Sequence, residues 1–166
     1  MRMGSSLLRM GLCAGALLAS SAGAQDADLV GRTHEGDLKI PGWEDRGGGQ
    51  LVDSVWYSVF RRSDGAFRVV INRSLGYRPG SQFMSFRVTD VVATDPYPQE
   101  IDILFVCKSS RVAKPGTLIA AVRIDIKDEK EWWTDVRRAW TISVQTGRLT
   151  ETETRGVQCL NEAWGR

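Results

Sequence analysis

The sequence predicts a mainly β fold, namely a single antiparallel β-sandwich or small barrel with at most one short helix and one disulfide. Apolar and polar residues alternate with a period of two over several short segments, and turn residues separate these segments. Strands at short intervals with turns between them are typical of sandwiches and small barrels. We expect residues 51–166 to form this one β-rich domain.

The N-terminal residues 1–24 have the layout of a cleavable secretory signal peptide. Arg2 and Arg9 precede the apolar run 10–19, and the small residues after it suit cleavage before Gln25. The run is too short to cross a bilayer, and no later segment is apolar enough to be a transmembrane helix. We therefore expect a periplasmic or secreted protein that is not inserted in a membrane once the signal is removed.

Residues 25–50 are predicted to be a flexible N-terminal segment. They are mostly polar, contain Pro41 and the run Gly47–Gly49, and show little sustained periodicity. His34, the single histidine of the chain, lies in this segment. We expect it to be exposed and without a functional role.

The first predicted strands flank a hairpin turn. Asp64-Gly65 separates the aromatic and β-branched runs 55–60 and 67–71, and both turn residues tolerate the positive φ of a primed turn. Pro79-Gly80 suits the central positions of a type II turn. Alternation over 84–89 then predicts a half-buried strand.

Further strands are predicted in the second half of the chain. Residues 101–107 alternate so that the cysteine at their end shares one face with Ile101. The longest alternation covers 118–127, and because its outer side begins apolar, we expect that half to be covered by other residues. Segment 129–138 is the one candidate helix and is equally compatible with an irregular loop. Strand alternation resumes at 140–144.

Two cysteines, Cys107 and Cys159, remain after signal cleavage and are predicted to form a disulfide. The bond would close a loop of about 50 residues, for which loss of chain entropy in the unfolded state predicts roughly 4 kcal/mol of stabilisation. Their separation matches neither a CxxC redox pair nor zinc-ligand spacing.

Composition argues against several classes of function. The chain carries 22 basic and 20 acidic residues, and Arg2 and Arg9 of the signal account for the excess. A balanced surface gives no electrostatic footprint for nucleic acid or anionic lipid. No clustered zinc ligands, phosphate loop, dinucleotide fingerprint or calcium loop occurs, so we expect neither metal nor cofactor.

The tryptophan pair Trp132-Trp133 is the predicted ligand-binding site, together with Asp135 and Arg137. In an extended segment, adjacent side chains point to opposite faces, so that one faces the core and the other faces solvent. An exposed tryptophan beside charged residues could stack on a sugar ring or anchor a protein partner. The alternative is that both tryptophans cover the end of the sheet.

Paired carboxylates are the one enzymatic route that composition leaves open. Glycoside hydrolysis needs only two acidic residues at a suitable separation, from any positions in a chain. The candidates near the tryptophan pair are Asp125, Glu129, Glu131 and Asp135.

In layout, the chain between Leu51 and Cys159 resembles small exported β proteins of Gram-negative bacteria, such as surface-adhesin E-like proteins and the lysozyme-inhibitor class. The shared features are a signal peptide, a β domain and two cysteines, the second near the C-terminus. This resemblance implies binding, and it carries over no functional residue. The expected function is an exported, soluble binding domain that contacts a protein or glycan of the cell envelope. The alternatives are a carboxylate-dependent hydrolase of envelope polysaccharide and a periplasmic inhibitor or immunity protein.

Overall fold

The computed structural model describes residues 28–112, 116–125, 127 and 129–164. The signal peptide predicted at 1–24 lies outside the described residues. Within the described ranges the chain contains no α-helix, and therefore none that is long and apolar enough to cross a membrane.

Twelve β-strands occur in the described part of the chain. They are β1 (Thr33–Glu35), β2 (Glu44–Val52), β3 (Val55–Arg61), β4 (Phe67–Tyr77), β5 (Met84–Ala93), β6 (Ile101–Leu104), β7 (Cys107–Lys108), β8 (Leu118–Arg123), β9 (Trp132–Trp133), β10 (Val136–Ile142), β11 (Leu149–Thr152) and β12 (Gln158–Leu160).

The strands form three antiparallel sheets. A five-stranded sheet has the order β1-β5-β4-β3-β2, a four-stranded sheet the order β11-β10-β8-β6, and a three-stranded sheet the order β7-β12-β9. This arrangement confirms the predicted mainly β fold and fits a β-sandwich. The sheets of the described residues stay open rather than closing into a barrel.

The main core lies between the five-stranded and four-stranded sheets. Alternate residues of β4 face it because side chains along a strand point to opposite faces. Its buried members are Val55, Val59, Phe67, Val69, Ile71, Ile101, Ile103, Ile119, Ala121, Trp140 and Ile142. The Trp140 side chain is buried there.

Hydrogen bonds also connect these two sheets. The Arg73 guanidinium of β4 donates to the carbonyl oxygens of Val144 and Gln145, at 2.8 and 2.7 Å. On β5, Asp90 accepts from the Leu149 backbone N–H at 2.7 Å. These bonds hold the loop that joins β10 to β11 against the five-stranded sheet.

A second core covers the other face of the four-stranded sheet. Leu118, Ala120 and Val122 of β8 face this core, while Ile119 and Ala121 face the first one. The prediction that other residues cover the outer side of β8 at its start is therefore confirmed.

The three-stranded sheet supplies that cover, and the predicted disulfide lies within it. The sulfur atoms of Cys107 and Cys159 are 2.01 Å apart, and their residues are paired directly between β7 and β12.

A third cluster covers part of the outer face of the five-stranded sheet. Leu29 and Leu38 pack there against Phe60, Val70 and Val88. The segment 25–50, for which the sequence predicts a loose organisation, thus contributes β1, most of β2 and two buried leucines. Its glycine run is paired with β3.

The same outer face buries a charged side chain. Arg68 of β4 is 2% exposed, and its guanidinium carbon lies 4.3 Å from the centroid of the Trp43 ring. Arg62 approaches that ring at 5.2 Å. The ring quadrupole attracts a cation where water is excluded, which accounts for an arginine inside this cluster. Trp43 packs against this cluster.

The predicted hairpin between β3 and β4 is confirmed, but its turn is not of the predicted primed type, because Asp64 does not have a positive φ. Asp64 accepts a hydrogen bond from the Ala66 N–H at 3.0 Å, and Gly65 has a φ of 93°. A Cβ on Gly65 would lie 2.3 Å from the Tyr97 carbonyl oxygen, so only glycine fits this turn. Gly80 has a φ of 79°, as a type II turn requires.

Two local expectations are wrong. The candidate helix at 129–138 is instead β9 and the start of β10, because Trp133 pairs with Cys159 and Val136 with Val122. The alternation over 101–107 also breaks, since β6 ends at Leu104 and the chain bends before β7. Cys107 therefore joins the second core and not the face of Ile101.

Removing the disulfide by the double substitution C107A/C159A should lower the free energy of unfolding by about 4 kcal/mol, because the unfolded chain regains the entropy of the open loop. Urea denaturation of the purified protein measures this. Dithiothreitol should shift the wild-type midpoint in the same direction and leave the double variant unchanged. Equal midpoints for the reduced and oxidised wild type would contradict the structural role of the bond.

The ion pair between Arg138 and Glu151 should give stability that depends on pH. Arg138 Nε and Nη2 donate to Glu151 Oε1 and Oε2 at 2.9 and 2.7 Å, and these bonds lower the pKa of Glu151. A lowered folded-state pKa means that the contribution is present above the unfolded-state pKa and is lost as pH falls through the folded one. Glu151→Gln should therefore cost about 0.5 kcal/mol at neutral pH, as for other exposed pairs. The cost should vanish in acid.

Urea denaturation of Glu151→Gln and wild type across an acid-to-neutral series measures this difference. The exposed Glu129 provides the control, and Glu129→Gln should follow the wild type at each pH. If the free energy of unfolding of Glu151→Gln differed from that of the wild type by the same amount at every pH, the effect would not be ionic.

Candidate functional site

The two tryptophans of the predicted site lie in different environments. Trp133 is 6% exposed and packs in the second core with both disulfide cysteines. Trp132 is half-buried, and the Lys108 ammonium lies 3.4 Å from the centroid of its ring. Trp132 is therefore the member of the pair that a ligand can reach.

The charged members of the predicted site form an ion pair with each other. Asp135 Oδ2 and Arg137 Nη2 are 3.1 Å apart, and both residues are exposed. Asp135 lines a hollow of about 270 Å³ together with Trp132, whereas Arg137 does not line it.

This hollow also bears on the carboxylate hypothesis. Of the four acidic residues named from the sequence, Asp125 and Asp135 line it, while Glu129 and Glu131 do not. Arg123 and Lys130 line it as well, so its charges are mixed. Two carboxylates thus face one open hollow, which is the minimum that acid–base hydrolysis of a glycoside requires.

A larger depression runs along one edge of the sandwich and is centred on Tyr57 of β3. The Tyr57 ring stacks on Phe105, with ring centroids 3.6 Å apart and an angle of 22° between the planes. We call this depression the edge groove. It comprises two adjoining hollows of about 350 and 370 Å³. Its principal lining residues are Gln50, Leu51, Tyr57, Phe105, Val106, Lys108, Trp132 and Glu162.

The bend that breaks the predicted strand builds this groove. Because β6 ends at Leu104, Phe105 and Val106 turn toward the edge of the five-stranded sheet. Phe105 meets Tyr57, while Val106 remains 49% exposed on the groove wall.

The glycine run of β2 lets the edge strand approach Tyr57 closely. A Cβ on Gly48 would lie 2.3 Å from the Tyr57 carbonyl oxygen, closer than non-bonded atoms approach. Gly47 has a φ of 103°, which other residues rarely adopt. At Gly49 a Cβ would lie 3.4 Å from Tyr57 Cε1. The strand therefore places bare backbone where side chains would otherwise stand.

Partial burial, with a smaller contribution from the charge of Glu162, raises the pKa of the Tyr57 hydroxyl above its ordinary value. The hydroxyl is accordingly protonated at neutral pH. It can both donate and accept a hydrogen bond toward a molecule in the groove.

A further hollow, of about 250 Å³, opens on the outer face of the five-stranded sheet. We call it the outer hollow. It shares Gly47, Gly48 and Tyr57 with the edge groove, so the two adjoin around the glycine run. Its other principal lining residues are His34, Asp37, Asp45, Trp56, Ser58, Asn72 and Phe86.

His34 belongs to the outer hollow, and the expectation that it is exposed is wrong. It is half-buried on β1, and its ring stacks on Phe86 at 5.4 Å with an angle of 23°. Nδ1 lies 2.9 Å from the Gly36 carbonyl oxygen and Nε2 lies 3.2 Å from Asn72 Oδ1. In either neutral tautomer, one ring N–H donates to one of these oxygens.

Among the described residues, no group of three or more His, Cys, Asp or Glu side chains is placed to hold a metal ion. The edge groove and the outer hollow instead combine aromatic surfaces with hydroxyl, amide and carboxylate groups. Such a combination is suited to binding a molecule that has both apolar and polar faces.

No protein-family model, no curated protein and no solved structure matches the chain.

Sequence reasoning missed Tyr57, Phe105, Trp56 and the glycine run as parts of one surface. A signal was present, because three consecutive glycines precede a strand that begins with Val55 and two aromatic residues. A flexible joint does not need to lie beside aromatic residues, whereas an edge strand that approaches their backbone closely needs glycine.

The two tryptophans should differ sharply in their effect on stability. Trp133→Ala removes a buried ring beside the disulfide and should lower the free energy of unfolding by about 3–5 kcal/mol. Trp132→Ala removes a half-exposed ring and should cost about 1 kcal/mol or less. Urea denaturation of both variants measures the difference. Equal losses would contradict the assignment of one tryptophan to the core and the other to the groove.

Proposed function

We propose that this protein is an exported binding domain that contacts a protein or glycan of the cell envelope through the edge groove. The observation that carries the proposal is a set of three half-buried aromatic side chains, Tyr57, Phe105 and Trp132, that line one hollow of the groove. We call these three side chains the aromatic row. Aromatic residues provide large contact areas at a low cost in side-chain entropy, and they are over-represented among residues that dominate binding energy.

The order of the groove supports this proposal. Tyr57 and Phe105 are held against each other by stacking, and Lys108 sits over Trp132. Side chains that are fixed before binding lose little freedom when a partner arrives. Lys108, Arg46 and Glu162 place charges of both signs around the aromatic row, as at the polar rim of many interfaces.

One structural observation and one sequence prediction support the proposed location. The disulfide fits a chain that folds outside the cytoplasm, where thiols are oxidised. The predicted signal peptide adds export, and the layout resembles exported proteins of Gram-negative bacteria, so we place the protein in the periplasm or the medium of such a cell.

The proposed surface is also compatible with the inhibitor or immunity alternative, in which the partner is a hostile enzyme. The hydrolase alternative is supported by a different feature, the hollow that Asp125 and Asp135 share. Trp132 lines both this hollow and the edge groove, whereas Val106 lines only the groove and Asp125 and Asp135 line only the hollow. Substitutions of Val106 and of the two aspartates therefore test binding and hydrolysis separately.

Two substitutions on the groove should abolish capture of the envelope partner. Val106→Asp places a charge on the exposed groove wall, and Trp132→Ala removes an aromatic surface. Each should reduce the retained partner at least about tenfold, as expected when a residue that dominates binding is lost. The measurement uses the exported protein on a resin with a solubilised envelope fraction. Retained proteins are quantified by mass spectrometry and retained glycans by sugar composition.

Val30 and Trp164 supply matched controls, because both are exposed, at 47% and 53%, and neither lines the groove. Val30→Asp and Trp164→Ala should retain the partner within about twofold of the wild type. The proposal fails if the wild type retains nothing beyond an empty resin. It also fails if both groove variants retain as much as their controls.

A further inference from the structure

The outer hollow has an aromatic wall of defined geometry. The His34 and Phe86 rings stack, and Trp56 meets Phe86 edge-on, with centroids 5.6 Å apart and an angle of 66° between the planes. All three side chains line the hollow. Such a wall offers flat apolar surface and, from the indole N–H, a hydrogen-bond donor.

Polar groups complete the hollow. Asn72 is 2% exposed, and its amide is held from two sides: Oδ1 lies 3.2 Å from His34 Nε2, and Nδ2 donates to Ser58 Oγ at 3.3 Å. Asp37 adds an exposed carboxylate at the rim. The hollow therefore combines an apolar wall with hydrogen-bonding groups whose positions are fixed by the fold.

The charge of the hollow favours some ligands over others among those that have both an apolar face and hydrogen-bonding groups. Asp37 and Asp45 carry its full charges, and none of the described residues that line it is Lys or Arg. Lys39 lies just outside and pairs with Asp45, with Nζ 3.7 Å from Oδ2. His34 and Tyr57 are the other titratable residues of the lining, and one of the His34 nitrogens faces Asn72 rather than the open space. A phosphate or carboxylate ligand would meet two aspartates without a basic side chain to pair with it.

The size of the hollow limits what fits inside. About 250 Å³ lies below the roughly 300–1,000 Å³ that encloses a drug-sized ligand. One ring of a larger molecule suits it better. The outer hollow and the edge groove share Gly47, Gly48 and Tyr57, so both border the same part of β2 and β3.

We propose that the outer hollow is a subsite for one ring of a neutral oligosaccharide. A sugar ring has an apolar C–H face for Trp56 and Phe86, and its hydroxyls donate to carboxylate and accept from amide and hydroxyl groups. The absence of charge on the ring suits the acidic rim. This inference rests on the proposed function, of which it specifies the ligand class.

The test titrates the exported protein with maltotriose, cellotriose and tri-N-acetylchitotriose, and with trigalacturonate as an acidic comparison. Indole N–H signals in proton–nitrogen correlation spectra report binding without any substitution. At least one neutral trisaccharide should shift the Trp56 signal, while those of Trp133 and Trp140, both buried in cores, stay in place. Trigalacturonate should leave the Trp56 signal unchanged.

Calorimetry of variants provides the second measurement. Trp56→Ala should weaken binding of the neutral trisaccharide at least about tenfold. Trp164→Ala, an exposed tryptophan elsewhere, should bind within about twofold of the wild type. Should Trp56→Ala lower the melting temperature greatly, Asp37→Ala on the exposed rim replaces it, with an expected loss of about threefold.

The inference is overturned if none of the neutral trisaccharides shifts the Trp56 signal, or if trigalacturonate binds more tightly than all of them. The inference would also be overturned if the capture experiment with the envelope fraction retained a protein but no glycan. In each of these cases the proposed function still stands if Val106→Asp abolishes capture. If the trisaccharides bind and Val106→Asp has no effect, the outer hollow is a saccharide site and the edge groove is not the contact surface.

Discussion

Burial of the four-stranded sheet on both faces is the constraint on which the rest of the structure depends. Residues Leu118 to Val122 of β8 are all at most 1% exposed, with odd and even positions in different cores. A strand with two buried faces needs a layer on each side. The five-stranded sheet forms one layer, and the small three-stranded sheet forms the other.

The second layer is thin, which explains why the disulfide lies there. β7, β9 and β12 contribute two, two and three residues, too few for a sheet that is stable on its own. The bond between Cys107 and Cys159 joins two of these strands, and Trp133 fills the space beneath them. The return of the chain to this layer also produces the bend after β6. The edge groove is thus a geometric consequence of covering β8 twice.

Sequence reasoning reached the parts of this architecture that local patterns encode. Aromatic and β-branched runs predicted β3 and the start of β4, and alternation predicted β5 and the half-covered start of β8. Turn residues predicted the hairpin at Asp64-Gly65. Each of these signals lies within a few residues. The bend after Leu104 could not be predicted in this way. The alternation of apolar residues continues through the bend. Cys107 lies in the second core because the second face of β8 has to be buried, and this requirement is not visible in the local sequence.

The same distinction applies to the candidate site. The sequence places Trp132 beside Trp133, and their opposite exposure follows from the pleat of a strand. It does not place Tyr57 against Phe105, which are 48 positions apart in the numbering and meet through tertiary packing. His34 likewise reaches Asn72 only because β1 pairs with β5 on the far edge of the sheet. Surfaces assembled from separate strands leave no local pattern to detect.

Stability alone does not explain why β2 contains the glycine run Gly47–Gly49. Each glycine within a strand costs roughly 0.5–1 kcal/mol relative to alanine, and it provides no side chain to pack. Gly47 and Gly48 are explained by a positive φ and by the close Tyr57 carbonyl, respectively. At Gly49, a Cβ would stand 3.4 Å from the Tyr57 ring, a distance that ordinary packing accommodates with a small adjustment. A methyl group there would add contact to the edge of the sheet but would reduce the exposed face of the ring. Glycine at this position leaves the Tyr57 ring accessible at the expense of additional packing, as expected if the groove it borders binds a partner as proposed.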